Sequence, residues 1–276
     1  MPYQIASDAD MTRPSRTAFF GISALLIAIS TAVTIARCVS MSTMGEMGMP
    51  GGWTMSMTWM RMPGQTWLAA TASFLGMWLV MMVAMMLPSL LPKLWWYLQA
   101  AGRTTVKRPG LLTALVAVGY FLVWTAFGMA AFFLGVMLTA IEMQQPAVAR
   151  AVPIAVGVVV LIAGALQFTA WKAHHLARCR ETPFCCPMRA DAGSALRYGL
   201  HLGIHCSYCC ASLTAVLLVV GVMDLRAMAG ITAAITVERL APDAQRVARI
   251  IGAVVVGAGL FLIAGARHGF TMPGMP

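Results

Sequence analysis

The sequence predicts an all-α protein, a polytopic bundle of about seven transmembrane helices with a cytoplasmic N-terminus. Of its 276 residues, 60% are hydrophobic and only 10% are charged, and the mean hydropathy is +0.80. Such a composition is too apolar for an ordinary soluble domain. The apolar residues fall into runs long enough for a helix to cross a bilayer, and short polar connectors separate them. The protein is therefore expected to contact membrane lipid.

The positive charge is predicted to set the membrane topology. The net charge is +10 and the pI is near 9.8, yet the basic residues are dispersed between apolar runs. They form no contiguous patch with interleaved aromatics, so nucleic acid is not expected as a partner. With the N-terminus inside and seven crossings, fourteen of the 19 Lys and Arg residues are cytoplasmic, as the positive-inside rule requires. The external ones are Arg37, Arg61, Arg150, Arg226 and Arg267.

The chain divides into a cytoplasmic tail (residues 1–17), a helical bundle (18–266) and an external tail (267–276) that contains Met272 and Met275. The first apolar run, 18–36, lacks a small-residue cleavage pattern at its exit. It is therefore predicted to be a transmembrane helix and not a signal peptide. A lone cysteine at its end, Cys38, is expected to serve packing.

A methionine-rich segment lies in the predicted external loop, residues 41–66. This loop has eight methionines, including Met44, Met47 and Met49, among glycines and prolines, within a chain that has 23 in total. Thioethers bind Cu(I) while remaining neutral, so the segment favours a weak, exchangeable copper collector. The alternative is a loop that lies on the membrane surface, anchored by its tryptophans.

The second span, 67–91, continues the methionine pattern along a helix. A row at i, i+4 and i+8 with two flanking residues comprises Met77, Met81, Met85, Met82 and Met86. Such a ladder could pass Cu(I) inward, whereas ordinary lipid-facing packing is the alternative. Pro88 and Pro92 are predicted to end or kink this helix.

Two further spans lead to a loop rich in cysteine and histidine. A basic connector at 93–110 precedes the third span, 111–141, and the fourth span covers 151–171, with the amide of Gln167 near its end. The cytoplasmic loop 172–197 follows. It contains His174, His175, Cys179, Cys185 and Cys186. Their spacing does not fit a zinc site, so metal contact by Cys179 and a structural cysteine pair both stay open.

The fifth span begins with the sequence GLHLGIHCSYCC, which concentrates soft metal ligands in an apolar segment. On a helix, the ligands at i and i+4 form one broad stripe, which comprises His201, His205, Cys206, Cys209 and Cys210. Thiolate and imidazole donors suit Cu(I), with Zn(II) as the less favoured ion. Polar clusters are costly in lipid, so this one is predicted to be a functional site. The alternative is that the cysteines pack as small hydrophobes.

The remaining chain holds a short helix and a final span. The apolar stretch 227–237 is marginal for a full crossing, so the sixth helix begins at Asp224 or forms a hairpin near the membrane edge. The last span covers 250–266.

The chain resembles a bacterial family of polytopic membrane proteins described as predicted metal-binding and linked to copper delivery. The resemblance covers roughly residues 67–240 and rests on MVAMMLP, GALQFTAWK, CSYCC and GVMDL. It implies copper handling at the inner membrane, with a copper enzyme or a periplasmic copper carrier as partner. The residues that it implies are Cys206, Cys209 and Cys210, then Cys179, Met81, Met82, Met85 and Met86.

The leading hypothesis is a Cu(I) transporter or a membrane copper chaperone. No Walker motif is present in the sequence, so the pattern does not favour ATP-driven pumping by this chain alone. A membrane redox enzyme or copper-dependent enzyme subunit is the alternative, as is an accessory subunit of a larger complex or homo-oligomer. The sequence lacks a three-histidine copper constellation, which argues against an enzyme.

Overall fold

The computed structural model describes residues 13–42, 47–49, 53–55, 59, 61, 64–102, 108–180 and 191–267. This part of the chain contains eight α-helices and one two-stranded hairpin, in agreement with the predicted all-α bundle. In chain order they are α1 (Arg13–Ser42), β1 (Met47–Met49), β2 (Trp53–Met55), α2 (Trp67–Gly102), α3 (Pro109–Gln144), α4 (Pro146–Leu166), α5 (Ala170–Arg180), α6 (Ala192–Val220), α7 (Leu225–Leu240) and α8 (Ala244–Arg267).

Six of the described helices are long and apolar enough to cross a membrane: α1, α2, α3, α4, α6 and α8. The seventh candidate is α7, whose 16 residues span only about 24 Å at 1.5 Å per residue. The fourth span has the predicted length of 21 residues but lies five residues earlier in the chain than predicted. It ends at Leu166, and the chain turns before the separate helix α5 begins at Ala170.

The bundle has two ends, which the chain path defines. We call the end at which α1 ends and α2 begins the first end, and the opposite end the second end. Helices α1 and α2 are antiparallel, since Phe19 near the start of α1 packs against Trp95 near the end of α2. Helices α3 and α6 run parallel from the second end, whereas α4 and α8 pack antiparallel.

Helix α2 runs through both of its prolines to Gly102, so of the two predicted outcomes, an end or a kink, the prolines do not end the helix. Each proline removes one backbone donor from the helix. The segment after Pro88 nevertheless remains helical, with Leu90, Leu94 and Tyr97 in the core. Burial of this face is the physical reason that the helix continues, because tertiary packing outweighs local propensity. Lys93 is consequently part of a helix and not of a connector.

Glycines allow α3 and α6 to approach closely. A Cβ atom added at Gly199 would overlap the backbone oxygen of Val116, and one at Gly119 would lie 2.5 Å from the backbone oxygen of Leu196. Contacts this short require the two helices to separate. The glycines therefore allow α3 to pack closely against α6, the helix that carries Cys206.

Replacing Gly199 by alanine is expected to destabilise the fold by about 1–3 kcal/mol, because the added methyl overpacks the α3–α6 interface. The matched control is Gly76→Ala in α2, where an added Cβ meets nothing within 4 Å. Reversible unfolding of both variants in mixed micelles measures the difference. Equal stability of the two variants would contradict the close approach.

The hairpin of β1 and β2 docks on the first end of the bundle. Met47 pairs with Met55 across the two antiparallel strands. The indole Nε1 of Trp53 donates to the backbone oxygen of Ala149 at the start of α4, at 2.9 Å. Trp59, further along the same loop, packs against Phe74 of α2, with ring centroids 5.3 Å apart. The methionine-rich loop is thus tied to the end of the bundle where α2 begins.

Candidate metal centre

Four thiols from two helices lie together in the core. Cys206, Cys209 and Cys210 of α6 are each 1% exposed, and Cys179 of α5 is 5% exposed. They are placed there because α5 packs directly on α6 after the turn that ends α4. All four are free cysteines. The structure therefore brings together the four cysteines that the sequence singled out.

The four thiols lie side by side in a series. Cys209 contacts both Cys179 and Cys210, and Cys210 also contacts Cys206. The hydrogen bond to Cys209 raises the pKa of the Cys179 thiol well above its usual range, and burial acts in the same direction. Cys179 is thus held as a protonated thiol, which would lose its proton on binding a metal.

The sulfur of Cys206 accepts hydrogen bonds from two other helices. The hydroxyl of Tyr120 in α3 lies 2.7 Å from Sγ, and the guanidinium Nη2 of Arg239 in α7 also lies 2.7 Å from it. Nη2 of Arg239 further contacts Cys210 Sγ at 3.3 Å, and its Nη1 donates to Ser89 Oγ at 2.9 Å. A cation and a hydroxyl directed at one sulfur stabilise negative charge there, and the thiolate is the form that binds metals.

A buried ion pair lies next to the backbone of Cys209. Lys172 Nζ lies 2.8 Å from Glu238 Oε2 and 2.8 Å from the backbone oxygen of Cys209. Both charged side chains are 1% exposed. Burial raises the pKa of Glu238, whereas the nearby ammonium of Lys172 opposes that shift. The pair joins α5, α6 and α7 at the level of Cys209.

A cavity of ≈ 210 Å³ opens beside the thiols. Its wall includes the sulfur-bearing residues Cys179 and Cys206 and the hydroxyl-bearing residues Ser89 and Tyr120. The cationic residues of the wall are Lys93, Arg180 and Arg239. The cavity gives a small ligand access to two of the four thiols.

The histidines of α6 contact each other at one edge of the predicted stripe, and their participation in metal binding stays a prediction. At 100° per residue, the five ligand positions spread over about 180° of the helix circumference, with His201 and His205 at one edge and Cys206 and Cys210 at the other. His201 is exposed, and its Nε2 lies 3.1 Å from Nε2 of His205. The two histidines therefore pair with each other on the opposite side of the stripe from Cys206.

The methionine ladder of α2 faces the core. Met81, Met82, Met85 and Met86 are at most 4% exposed, so they do not face lipid. Ser89, one turn further on, donates to the backbone oxygen of Met86. Ser89 also accepts a hydrogen bond from Arg239, and Arg239 contacts Cys206. The methionine ladder therefore ends next to a serine that contacts Arg239.

Other methionines and cysteines of the sequence-based prediction are described only in part. Met47 and Met49 lie in β1 at the first end, and their side-chain positions are not described. Met44, Cys185 and Cys186 are outside the described residues. At the first end, Cys38 of α1 contacts the sulfur of Met223 at 3.8 Å.

Sequence reasoning missed the charged and aromatic residues around the thiols. The sequence pattern predicts a topological role for Lys172 and Arg239, and it predicts that Tyr120 belongs to an apolar span. A usable signal is present in the sequence, since Glu238 and Arg239 are a charged pair directly after the apolar stretch 227–237. Their partners lie in other helices, so sequence spacing could not identify them.

Within the described ranges, no three or more His, Cys, Asp or Glu side chains form a group that could hold a metal ion. The thiols form a chain, and Arg239 lies against its Cys206 end. A metal ion with few ligands fits such an open donor set better than Zn(II), which requires four ligands in a closed tetrahedron.

Comparison with known families gives one match. A family model described as "PpoB2: Copper chaperone" matches residues 75–262, which is more than half of the chain. The matched region extends from the methionine ladder of α2 to α8 and includes all four thiols. Neither the comparison with curated proteins nor that with solved structures gives a match.

Proposed function

The chain belongs to the copper chaperone family whose model it matches, and from that premise we propose that it is a membrane protein that binds Cu(I) and delivers it to a copper enzyme. The proposed site consists of Cys206, Cys209, Cys210 and Cys179. The observation that carries the proposal is this buried series of four neighbouring thiols, one of which forms hydrogen bonds with both Tyr120 and Arg239. His201 and His205, which pair with each other, lie outside the proposed site.

Ligand exchange is the proposed chemistry of the thiol series. Cu(I) prefers soft sulfur donors and accepts low coordination numbers, so it can be held by two neighbouring thiolates at a time. The series Cys206, Cys210, Cys209 and Cys179 offers successive pairs of this kind. In the metal-free protein, Arg239 supplies the positive charge next to Cys206 that copper would otherwise supply. Copper binding then requires Arg239 to move away from the sulfur.

We further propose that methionines bring Cu(I) from the first end to the thiols. The loop with Met44, Met47 and Met49 would collect the ion, and Trp59 of that loop packs against Phe74 near the start of α2. The core-facing ladder of α2 would then guide it to Ser89. The support for this route is the burial of the ladder and the contact between Ser89 and Arg239.

Replacing Met81 and Met85 together by leucine is expected to slow loading of Cu(I) at the thiols several-fold while leaving the affinity unchanged. Leucine conserves the apolar volume of the ladder but removes the thioether ligands. The matched control is Met137→Leu in α3, which is 68% exposed. Stopped-flow mixing measures the loading rate, and unchanged rates in the double variant would contradict the route.

The proposed location is the bacterial inner membrane, where the six long helices of the described part would cross the bilayer. The proposed partner is a copper enzyme or a periplasmic copper carrier, within a membrane complex or a homo-oligomer. Titration of the purified full chain with Cu(I) under reducing conditions tests the function directly. We expect at least one Cu(I) per chain, and a folded chain that binds none would contradict the proposal.

A further inference from the structure

The cavity beside the thiols carries three cationic side chains and no carboxylate. Lys93, Arg180 and Arg239 come from α2, α5 and α7, and no Asp or Glu of the described residues contributes to the wall. Both ion pairs of the described part lie elsewhere: Lys172 with Glu238, and Arg246 with Asp243. No carboxylate of the described residues therefore neutralises the three charges in the wall.

The hydrogen bonds that these cations form leave some of their N–H donors available to a ligand. Arg180 donates to the backbone oxygens of Ala241 and Pro242, which are neutral acceptors. Arg239 contacts Ser89 and two sulfurs, but its buried Nε has no partner among the described residues. Lys93 has no ion pair within the described part of the chain. A buried guanidinium nitrogen without an acceptor is unfavourable, so a bound anion would stabilise the site.

This charge pattern is unsuitable for a bare copper ion. Three positive charges in a half-enclosed cavity repel a free Cu(I), whereas they attract an anion and concentrate it there. The volume of ≈ 210 Å³ is smaller than the usual range for drug-sized ligands and suits a small molecule. Cys179 and Cys206 lie in the same wall, so the cavity favours a ligand that can bind a metal ion together with these two thiols.

We propose that the cavity binds a small thiol bearing carboxylate groups, and that Cu(I) is exchanged with the protein as the anionic complex of that thiol. The inference rests on the proposed function, because it assumes that the four thiols take up Cu(I). Lys93, Arg180 and Arg239 bind the carboxylates, and Cys206 and Cys179 face the copper. A bond from copper to the carrier sulfur breaks as a bond to a cysteine sulfur forms. The proton that the cysteine loses passes to the released carrier thiolate, and copper remains Cu(I) throughout.

The experiment compares carriers that differ in charge. Metal-free full-length protein in detergent is mixed with Cu(I) as its complex with mercaptosuccinate, which is anionic, or with cysteamine, which is cationic. Free Cu(I) and ionic strength are matched, and protein-bound copper is measured after rapid desalting. We expect loading from mercaptosuccinate to be faster by roughly tenfold or more, as electrostatic attraction into a charged cleft provides.

Variants of the cavity identify the responsible charges. Replacing Lys93 and Arg180 together by glutamine should bring the two loading rates within about two-fold of each other, because most of the electrostatic attraction into the cavity is lost. Lys93→Arg should preserve the difference, as should Arg249→Gln, which removes an exposed cation of α8 outside the cavity. Equal loading from the two carriers in the unaltered protein would overturn the inference.

A metal-free measurement separates this inference from the proposed function. Calorimetric titration with mercaptosuccinate in the absence of copper should show binding that the double glutamine variant loses. Absence of binding in the unaltered protein would overturn the inference even if Cu(I) binds. Binding of mercaptosuccinate without any uptake of Cu(I) would confirm the anion cavity and overturn both the proposed function and the copper exchange.

Discussion

Replacing Cys209 by serine is expected to weaken Cu(I) binding by at least about 100-fold, the upper end of the loss caused by removing an outer partner of a metal ligand. Cys209 is the thiol that contacts both Cys179 and Cys210, so its loss divides the series into two parts. Serine has nearly the same shape but is a hard oxygen donor, which Cu(I) disfavours. Competition with a coloured Cu(I) chelator measures the affinity.

The control for this experiment is Cys38→Ser. Cys38 is also buried, but it lies at the first end of the bundle beside Met223. Its replacement tests the general effect of losing a buried thiol, and the affinity should stay within about two-fold, as for a mutation that leaves the ligands and their partners intact. If Cys209→Ser bound Cu(I) as tightly as Cys38→Ser does, the four-thiol site would be refuted.

The clustering of the thiols could be predicted from the sequence because their signal is local. Cys206, Cys209 and Cys210 stand in one apolar helix, and helical spacing alone places them within one turn and a quarter of one another. Polar residues in an apolar span also indicate a functional site, because placing them in lipid is energetically unfavourable. The same local reasoning extended the stripe to His201 and His205. The part of these histidines in metal binding stays a prediction, since they lie across the stripe from Cys206 and contact each other.

The groups that tune the thiols could not be predicted, because they come from distant positions. Tyr120 and Arg239 are 86 and 33 residues away from Cys206, and Lys172 is 66 residues away from Glu238. Composition and periodicity carry no information about which helices pack together. The positive-inside rule even supplied a different role for Lys172 and Arg239, since it assigns basic residues to the membrane surface.

The number of transmembrane helices was likewise predicted from local sequence patterns, which do not show how the helices pack. Runs of apolar residues identified α1, α2, α3, α4, α6 and α8, all of which are long enough to cross a membrane. The remaining helix, α7, has 16 residues and carries the buried Glu238 near its end. A short helix that packs against α2 and α6 does not need the length or the apolar surface of a lipid-facing span. Its role is to place Arg239 and Glu238 at the thiols.

Replacing Glu238 by glutamine is expected to destabilise the fold by about 3–5 kcal/mol, the usual cost of breaking a buried ion pair from one side. The substitution keeps the shape of the side chain but leaves the ammonium of Lys172 buried without its counter-charge. The backbone oxygen of Cys209 then remains as a neutral acceptor for that ammonium. Reversible unfolding in mixed micelles measures the change.

Two further variants distinguish loss of charge pairing from loss of packing. The double variant Lys172→Met, Glu238→Leu should recover most of the lost stability, because an apolar pair of similar volume avoids the cost of burying charge. In the exposed pair, Arg246→Gln should change stability by no more than about 1 kcal/mol, since both side chains are well solvated. If Glu238→Gln were as mild as Arg246→Gln, the pair would not hold α5, α6 and α7 together. Recovery of stability in the double variant with loss of Cu(I) affinity would show that the pair also positions Cys209.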